Sequence, residues 1–218
     1  MQNLIIFGAS GHARVIADAA RRSAGFDVLG FVDQDRPAGE IVDGVTVLGN
    51  ETVLHSILSG AVSIMGIIGI GDNQTRARIA ASTKTMFPKL QFANVIHPSA
   101  IIADDVRFGH GVFVAASATI NCGCRLGDHV VINTRAGIDH DCVIGDFGFV
   151  GPGVSLAGAV SIGRGSFIGT GAAVIPSIQI GDNAVIGAGS AVIRSVASGT
   201  TVAGVPAYEL VRAKPAKK

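Results

Sequence analysis

The amino-acid sequence predicts an α/β domain over residues 1–96 followed by a parallel β-helix over residues 97–218. Three observations predict it. From Ala100 to Ser195 an aliphatic residue or Phe recurs at every sixth position, through 16 unbroken hexads running from Ile102 and Phe108 to Ile186 and Val192. Before residue 97, short apolar runs alternate with helical patterns. Two of those runs end in glycine turns at the start of a helix, Gly8-Ala9-Ser10-Gly11-His12 and Gly69-Ile70-Gly71-Asp72-Asn73.

The N-terminal elements follow in order. Residues 3–7 read as a buried parallel strand, and a helical pattern runs from the first glycine turn through Ser23. A second strand over 28–32 ends in Asp33-Gln34-Asp35. Asn50 is placed to cap a short helix that stops at Gly60. Residues 63–70 form a third strand, Asp72 or Asn73 caps a helix from Gln74 to about Thr85, and residues 91–96 make a last strand. This is a Rossmann-like order. In such a sheet the carboxyl ends of the strands share one crevice, so His12, Asp33 and Gly71 can line a single ligand site. Main-chain N–H groups at the first turn suit a phosphate. The turn lacks the full G-x-G-x-x-G spacing, and a plain tight turn stays open.

A period of six fits neither a 3.6-residue helix nor a two-sided strand. It is the signature of hexapeptide coils. Each hexad reads as a short strand and a corner, with the third residue inward and a small fourth residue, as at Gly109, Gly127, Gly145, Gly163, Gly181 and Gly187. The fourth residue is expected to turn the corner with positive φ. Three hexads close a triangular coil, so Ile102, Ile120, Ile138 and Leu156 form one inward ladder. Each buried aliphatic contributes roughly 1.5–3 kcal/mol. An aromatic content of only 5% suits so thin a prism. The coil ends need covers, which the N-terminal domain and the C-terminal segment are expected to supply. After Ser195 the period dissolves into a turn at Ala203–Ala207, a helical turn from Tyr208 to Ala213, and a frayed tail over 214–218.

Composition excludes several classes. A net charge of +1 carries no nucleic-acid footprint. Hydrophobic content is 48%, yet no apolar run reaches the length of a membrane span. Met1-Gln2-Asn3-Leu4 lacks a basic leader region. Cys122, Cys124 and Cys142 form no CxxC and are read as buried or semi-buried thiols in a reducing cytoplasm. No metal is expected, since a zinc hydratase on this scaffold needs His ligands closely spaced across a coil.

Of six His residues, His55 reads as surface, His97 as linker, and His110 and His129 as solvated corners. His140 differs in standing between Asp139 and Asp141. A carboxylate beside an imidazole fixes its tautomer and raises its basicity, as a general base requires. Neighbouring side chains on a strand point to opposite faces, so the corner geometry decides whether Asp141 can help.

The whole chain resembles the sugar O- and N-acyltransferases of the NeuD and PglD type. The resemblance rests on Phe7-Gly8-Ala9-Ser10-Gly11-His12, Phe31-Val32-Asp33, Ile70-Gly71-Asp72-Asn73, His97-Pro98-Ser99-Ala100, Asp139-His140-Asp141-Cys142-Val143-Ile144-Gly145-Asp146 and Gly204-Val205-Pro206-Ala207. It implies a left-handed β-helix, a homotrimer, and acetyl transfer from acetyl-CoA to the amino group of a nucleotide-linked amino sugar. It implies His140 as catalytic base with Asp141 as its acid. Ser10, Gly11, His12, Asp33 and Gly71 would bind the nucleotide sugar, and Thr170 and Ala188 would hold acetyl-CoA through main-chain groups. Some members carry a second His at the position of Phe149, against the thioester carbonyl. Here Phe149 offers only its N–H. O-acetylation of a sugar hydroxyl, as with sialic acid, and non-catalytic binding of a sugar nucleotide are the alternatives.

Overall fold

The computed structural model describes residues 1–60 and 63–210. The N-terminal domain runs β1 (Gln2–Phe7), α1 (Gly11–Arg22), β2 (Phe26–Val32), β3 (Ile41–Val42), β4 (Val45–Gly49), α2 (Val53–Leu58), β5 (Ile64–Ile68), α3 (Asn73–Met86) and β6 (Gln91–Phe92). Its sheet has the order β3-β4-β2-β1-β5-β6 and is parallel except for the β3–β4 hairpin. That hairpin turns at Asp43-Gly44, both with positive φ, an Asp-Gly signal that the sequence carries openly. Asn50 caps the turn before α2 rather than the helix itself, accepting hydrogen bonds from the N–H and hydroxyl of Thr52. Asp72 caps α3 as expected, accepting from the Thr75 N–H at 2.8 Å.

The β-helix has three faces. The first carries the strands Val95–Ile96, Phe113–Val114, Val131–Ile132, Phe149–Val150, Phe167–Ile168 and Val185–Ile186. The second runs from Ile101–Ile102 to Ala191–Val192, and the third from Arg107–Phe108 to Gln179–Ile180. Each strand pairs in parallel with the strand three hexads further on, as in Phe113↔Val131, Thr119↔Gly137 and Arg125↔Val143. The third-position residues from Val114 to Val192 are buried in one continuous apolar core, while Ile102 and Phe108 at the open end are half-buried. Ile168 sits at its centre with no exposure. Ile168→Ala is expected to cost about 2–5 kcal/mol, measured as a lower denaturation midpoint.

The residues 91–96 do not form one strand. Gln91–Phe92 joins the N-terminal sheet, whereas Val95–Ile96 pairs with Phe113–Val114 in the first coil face. The coil therefore begins ahead of residue 97, and Ile96 extends the third-position series back by one hexad. At the other end the last coil is shorter than three full hexads, and Val185 pairs with Thr201. Tyr208–Glu209 is a strand antiparallel to Thr201–Ala203 rather than part of a helical turn; residues 211–213 and the tail 214–218 lie outside the described residues.

Two further expectations are corrected. The small fourth residues do not carry the positive φ. It falls two places later, at 14 successive sixth positions from Gly111 to Gly189. The fourth residue is small because the next coil passes too close. A Cβ on Gly145 would lie 2.8 Å from the Arg164 nitrogen, and one on Gly181 2.5 Å from that of Ser198. Nor does the N-terminal domain cap the coil end. It packs sideways on the first face, where α1 and β2 share a buried cluster with Val95, Phe113, Val131 and Phe149. No described helix is long and apolar enough to cross a membrane.

Candidate active site

His140 lies at the corner between the second and third faces, between the strands Gly137–Ile138 and Val143–Ile144. Asp139 uses its Oδ1 to accept from the His140 N–H (2.8 Å) and from Asn121 Nδ2 (3.0 Å), which closes the corner. Asp141 adopts a φ of 59°, with its N–H held by the Cys122 carbonyl at 2.9 Å. That left-handed residue breaks the strand alternation and brings Asp141 to the same side as His140. The Asp141 Oδ2 lies 2.9 Å from His140 Nδ1. Both side chains are exposed. The hydrogen bond that Asp141 accepts from it, then the charge of Asp139, raises the pKa of His140 above its ordinary value. With Nδ1–H donating to Asp141, the Nε2 lone pair is left to accept a proton.

The imidazole leans across Gly158, the residue one coil further on. A Cβ there would lie 2.5 Å from His140 Nε2. The hexad pattern by itself does not mark Gly158 as functional, although stepping three hexads on from His140 finds it. Cys142 is buried, donates to the Ala157 carbonyl at 3.3 Å, and is pushed up to about 11 by burial. Cys124 is buried too, whereas Cys122 is exposed.

The glycine turn after β1 is tied to Asp33. Its carboxylate accepts from the Ala9 N–H (2.8 Å) and the Asp35 N–H (2.9 Å). Gly8 has a φ of 94°, and a Cβ there would meet Ile70 at 3.0 Å. Gly8 and Asp33 border a cavity of about 270 Å³, with Gln34, Asp35, Glu51, Thr75 and Arg78 on its wall. Ser10 precedes α1 without using its hydroxyl as a cap, and Ser10 and Gly11 are exposed. His12 instead turns inward, with its ring edge-on to Phe113 at 5.6 Å and tilted against Phe149 at 6.2 Å. Burial, followed by the nearby charge of Arg76, lowers its pKa to about 4, so this ring is neutral. Gly71 lies beside Phe149, and its carbonyl accepts from Arg76 at 3.1 Å.

Phe149 cannot serve the thioester as expected. Its N–H donates to the Ser166 carbonyl at 2.9 Å within the coil ladder. Its ring is buried at the domain junction, stacked on Phe167 at 4.9 Å. Thr170 and Ala188 lie on the corner between the first and second faces, and both are exposed. Neither main-chain N–H has a hydrogen-bond partner among the described residues. The comparable N–H groups of Asp128 and Arg164, on another corner, are taken by Asp146 and Asp182 at 2.9 and 2.8 Å.

His129 is buried rather than solvated. Its ring stacks on Phe147 at 5.1 Å, and burial lowers its pKa to about 4. Among the described residues there is no group of three or more His, Cys, Asp or Glu that could hold a metal ion.

These positions do not converge within one chain. The N-terminal domain covers the first face. His140 stands on the corner opposite that face, and Thr170 and Ala188 stand on the edge between. One chain alone keeps the imidazole apart from the turns at Gly8–His12 and Gly71.

Residues 3–83 match the PglD N-terminal domain, and residues 159–194 match the bacterial transferase hexapeptide (six repeats). No curated protein matches the chain. Among solved structures, the chain is similar to a perosamine N-acetyltransferase from Caulobacter crescentus, solved as a histidine-to-asparagine mutant in complex with CoA and GDP-perosamine. The two are 35% identical over 97% of this chain and 98% of that one, with a TM-score of 0.91. The acetyltransferase domain of PglB from Neisseria gonorrhoeae FA1090, in complex with acetyl coenzyme A, is 31% identical over 96% and 99% of the two chains, with a TM-score of 0.86. WeeI from Acinetobacter baumannii AYE is 26% identical over 96% and 100%, with a TM-score of 0.85. A PglD-type N-terminal domain joined to hexapeptide coils, alike from end to end, makes this chain a member of the NeuD/PglD-type acetyltransferases built on a left-handed β-helix.

Proposed function

We propose that the chain transfers the acetyl group of acetyl-CoA to the amino group of a nucleotide-linked amino sugar, with His140 as the base. The observation that carries this reading is the likeness over 97% of the chain to a relative solved with CoA and GDP-perosamine. The neutral sugar amine attacks the thioester carbon. His140 Nε2 takes the proton that the amine loses, the tetrahedral intermediate collapses, and the C–S bond breaks. The proton then leaves with the CoA thiolate. Holding the two substrates in line supplies much of the rate. Acetyl-CoA as donor fits a cytoplasmic enzyme.

Acetyl-CoA lies along the corner of Thr170 and Ala188, whose unused N–H groups suit its carbonyl oxygens. Pro152 already occupies the same column two coils before Ala188, so Ala188→Pro is expected to fold. It removes one donor, worth about 0.5–1.5 kcal/mol. The KM for acetyl-CoA is therefore expected to rise about two- to twelvefold; an unchanged value removes this corner from the binding site.

The separation of His140 from the N-terminal turns supports a trimer in which one copy supplies the base and another presents the nucleotide sugar. Light scattering is expected to give a trimer, and a fully active monomer contradicts it. Asp141 sets the pH response. The base works only when neutral, so kcat/KM falls as pH drops through its raised pKa. Asp141→Asn lowers that pKa and moves the acid limb to lower pH, together with a slower plateau. A pH–rate profile with an unmoved acid limb contradicts the role given to Asp141.

A further inference from the structure

The first turn of α3 carries two buried polar side chains, Arg76 and Asn73. All five N–H donors of Arg76 are engaged. Nε donates to the His129 carbonyl (2.9 Å), and Nη2 to the Phe147 carbonyl and Asn73 Oδ1 (both 2.8 Å). Nη1 donates to the carbonyls of Ile70 and Gly71 (both 3.1 Å). Asn73 Nδ2 continues the row, donating to the carbonyls of Gly165 (2.9 Å) and Ser166 (3.1 Å).

His129, Phe147 and Gly165 are the sixth residues of their hexads in three successive coils. Their carbonyls accept no coil-to-coil main-chain bond, so they form a free ladder that α3 reads. No carboxylate is among these partners. Burial lowers the pKa of Arg76 to about 10, which leaves it charged at neutral pH. Burying a cation is a costly way to join two surfaces, and the neighbouring Phe113 and Phe149 contact already joins them by apolar packing. The planar guanidinium adds direction, because its fork fixes two sets of acceptors relative to each other. One set belongs to the coils and the other to the Ile70–Gly71 turn.

We propose that Arg76, steadied by Asn73, is a positioning residue that sets the Ile70–Gly71 main chain against the coil corners and so fixes where the nucleotide-linked acceptor is held. This rests on the reading that the turn binds that acceptor. Arg76 acts through Gly71 and does not touch the reacting atoms.

The test uses the full chain, acetyl-CoA, and whichever of GDP-perosamine and a UDP-linked 4-amino sugar the wild type acetylates. Arg76→Lys keeps the charge but loses the planar fork. Its KM for the nucleotide sugar is expected to rise about tenfold or more, with the KM for acetyl-CoA within about twofold of wild type. An unchanged nucleotide-sugar KM in folded Arg76→Lys overturns the proposal. So does a lower kcat with both KM values unchanged, which is what loss of active protein alone produces. If Arg76→Lys does not fold, Asn73→Ala decides: it keeps the guanidinium and is expected to raise the same KM about threefold, and no rise overturns the proposal. A wild type that acetylates neither sugar overturns the functional reading and this inference with it. An active wild type with insensitive variants overturns this inference alone.

Discussion

Replacing His140 by Asn is expected to lower kcat about 10²–10⁴-fold, the usual range for a lost general base. Asn is close in size and keeps a polar group at the corner, but it has no lone pair that can take a proton at neutral pH. The surrounding corner does not depend on the ring. Asp139 holds the residue-140 N–H, and Asp141 is fixed through its own N–H to the Cys122 carbonyl. The KM for both substrates and the denaturation midpoint are therefore expected to stay near wild type. Steady-state kinetics on His140→Asn check this, and wild-type turnover removes His140 from the mechanism. Cys142 does not stand ready to replace it, since burial holds its thiol protonated.

Gly158→Ala is expected to cost about 10²-fold in kcat, the scale of misplacing a reacting group by about an ångström. The added methyl would lie 2.5 Å from His140 Nε2, so the imidazole must swing away. The ring is the far end of an exposed side chain and can move without disturbing the core. Stability is thus expected to change little while turnover falls. This split distinguishes a space-giving glycine from a merely structural one. A variant with full turnover shows that the working position of the ring does not lie over Gly158. Equal losses in stability and activity place the effect in the coil instead.

The core of the β-helix was legible because it follows from chain spacing alone. Every third-position residue from Val114 to Val192 is buried, since a strand and corner of six residues repeat without insertion. The role of the fourth position was misread because sequence shows that a residue is small, not whether φ or a close neighbour requires it. The sideways docking of the N-terminal domain had a trace in the outward column of Phe113, Val131, Phe149 and Phe167, all apolar on a face that solvent would otherwise wet. His129 was misread for want of its stacking partner, Phe147, which lies one full coil further along the chain. Arg76 left no trace, because carbonyls are its chief partners and every residue type has one. The pairing of His140 with Asp141 was legible as a motif, but not as geometry. It depends on a left-handed Asp141, which only the corner position imposes.

The reaction proposed for the chain is acetyl transfer to the amino group of a nucleotide-linked sugar. The most direct measurement incubates the purified full chain with acetyl-CoA and either GDP-perosamine or a UDP-linked 4-amino sugar, and follows thiol release together with the mass of the sugar product. CoA release matched one for one by an N-acetylated sugar nucleotide is the expected result. Thiol release without acetylated sugar, acetylation on a hydroxyl, or no transfer to either acceptor would contradict it.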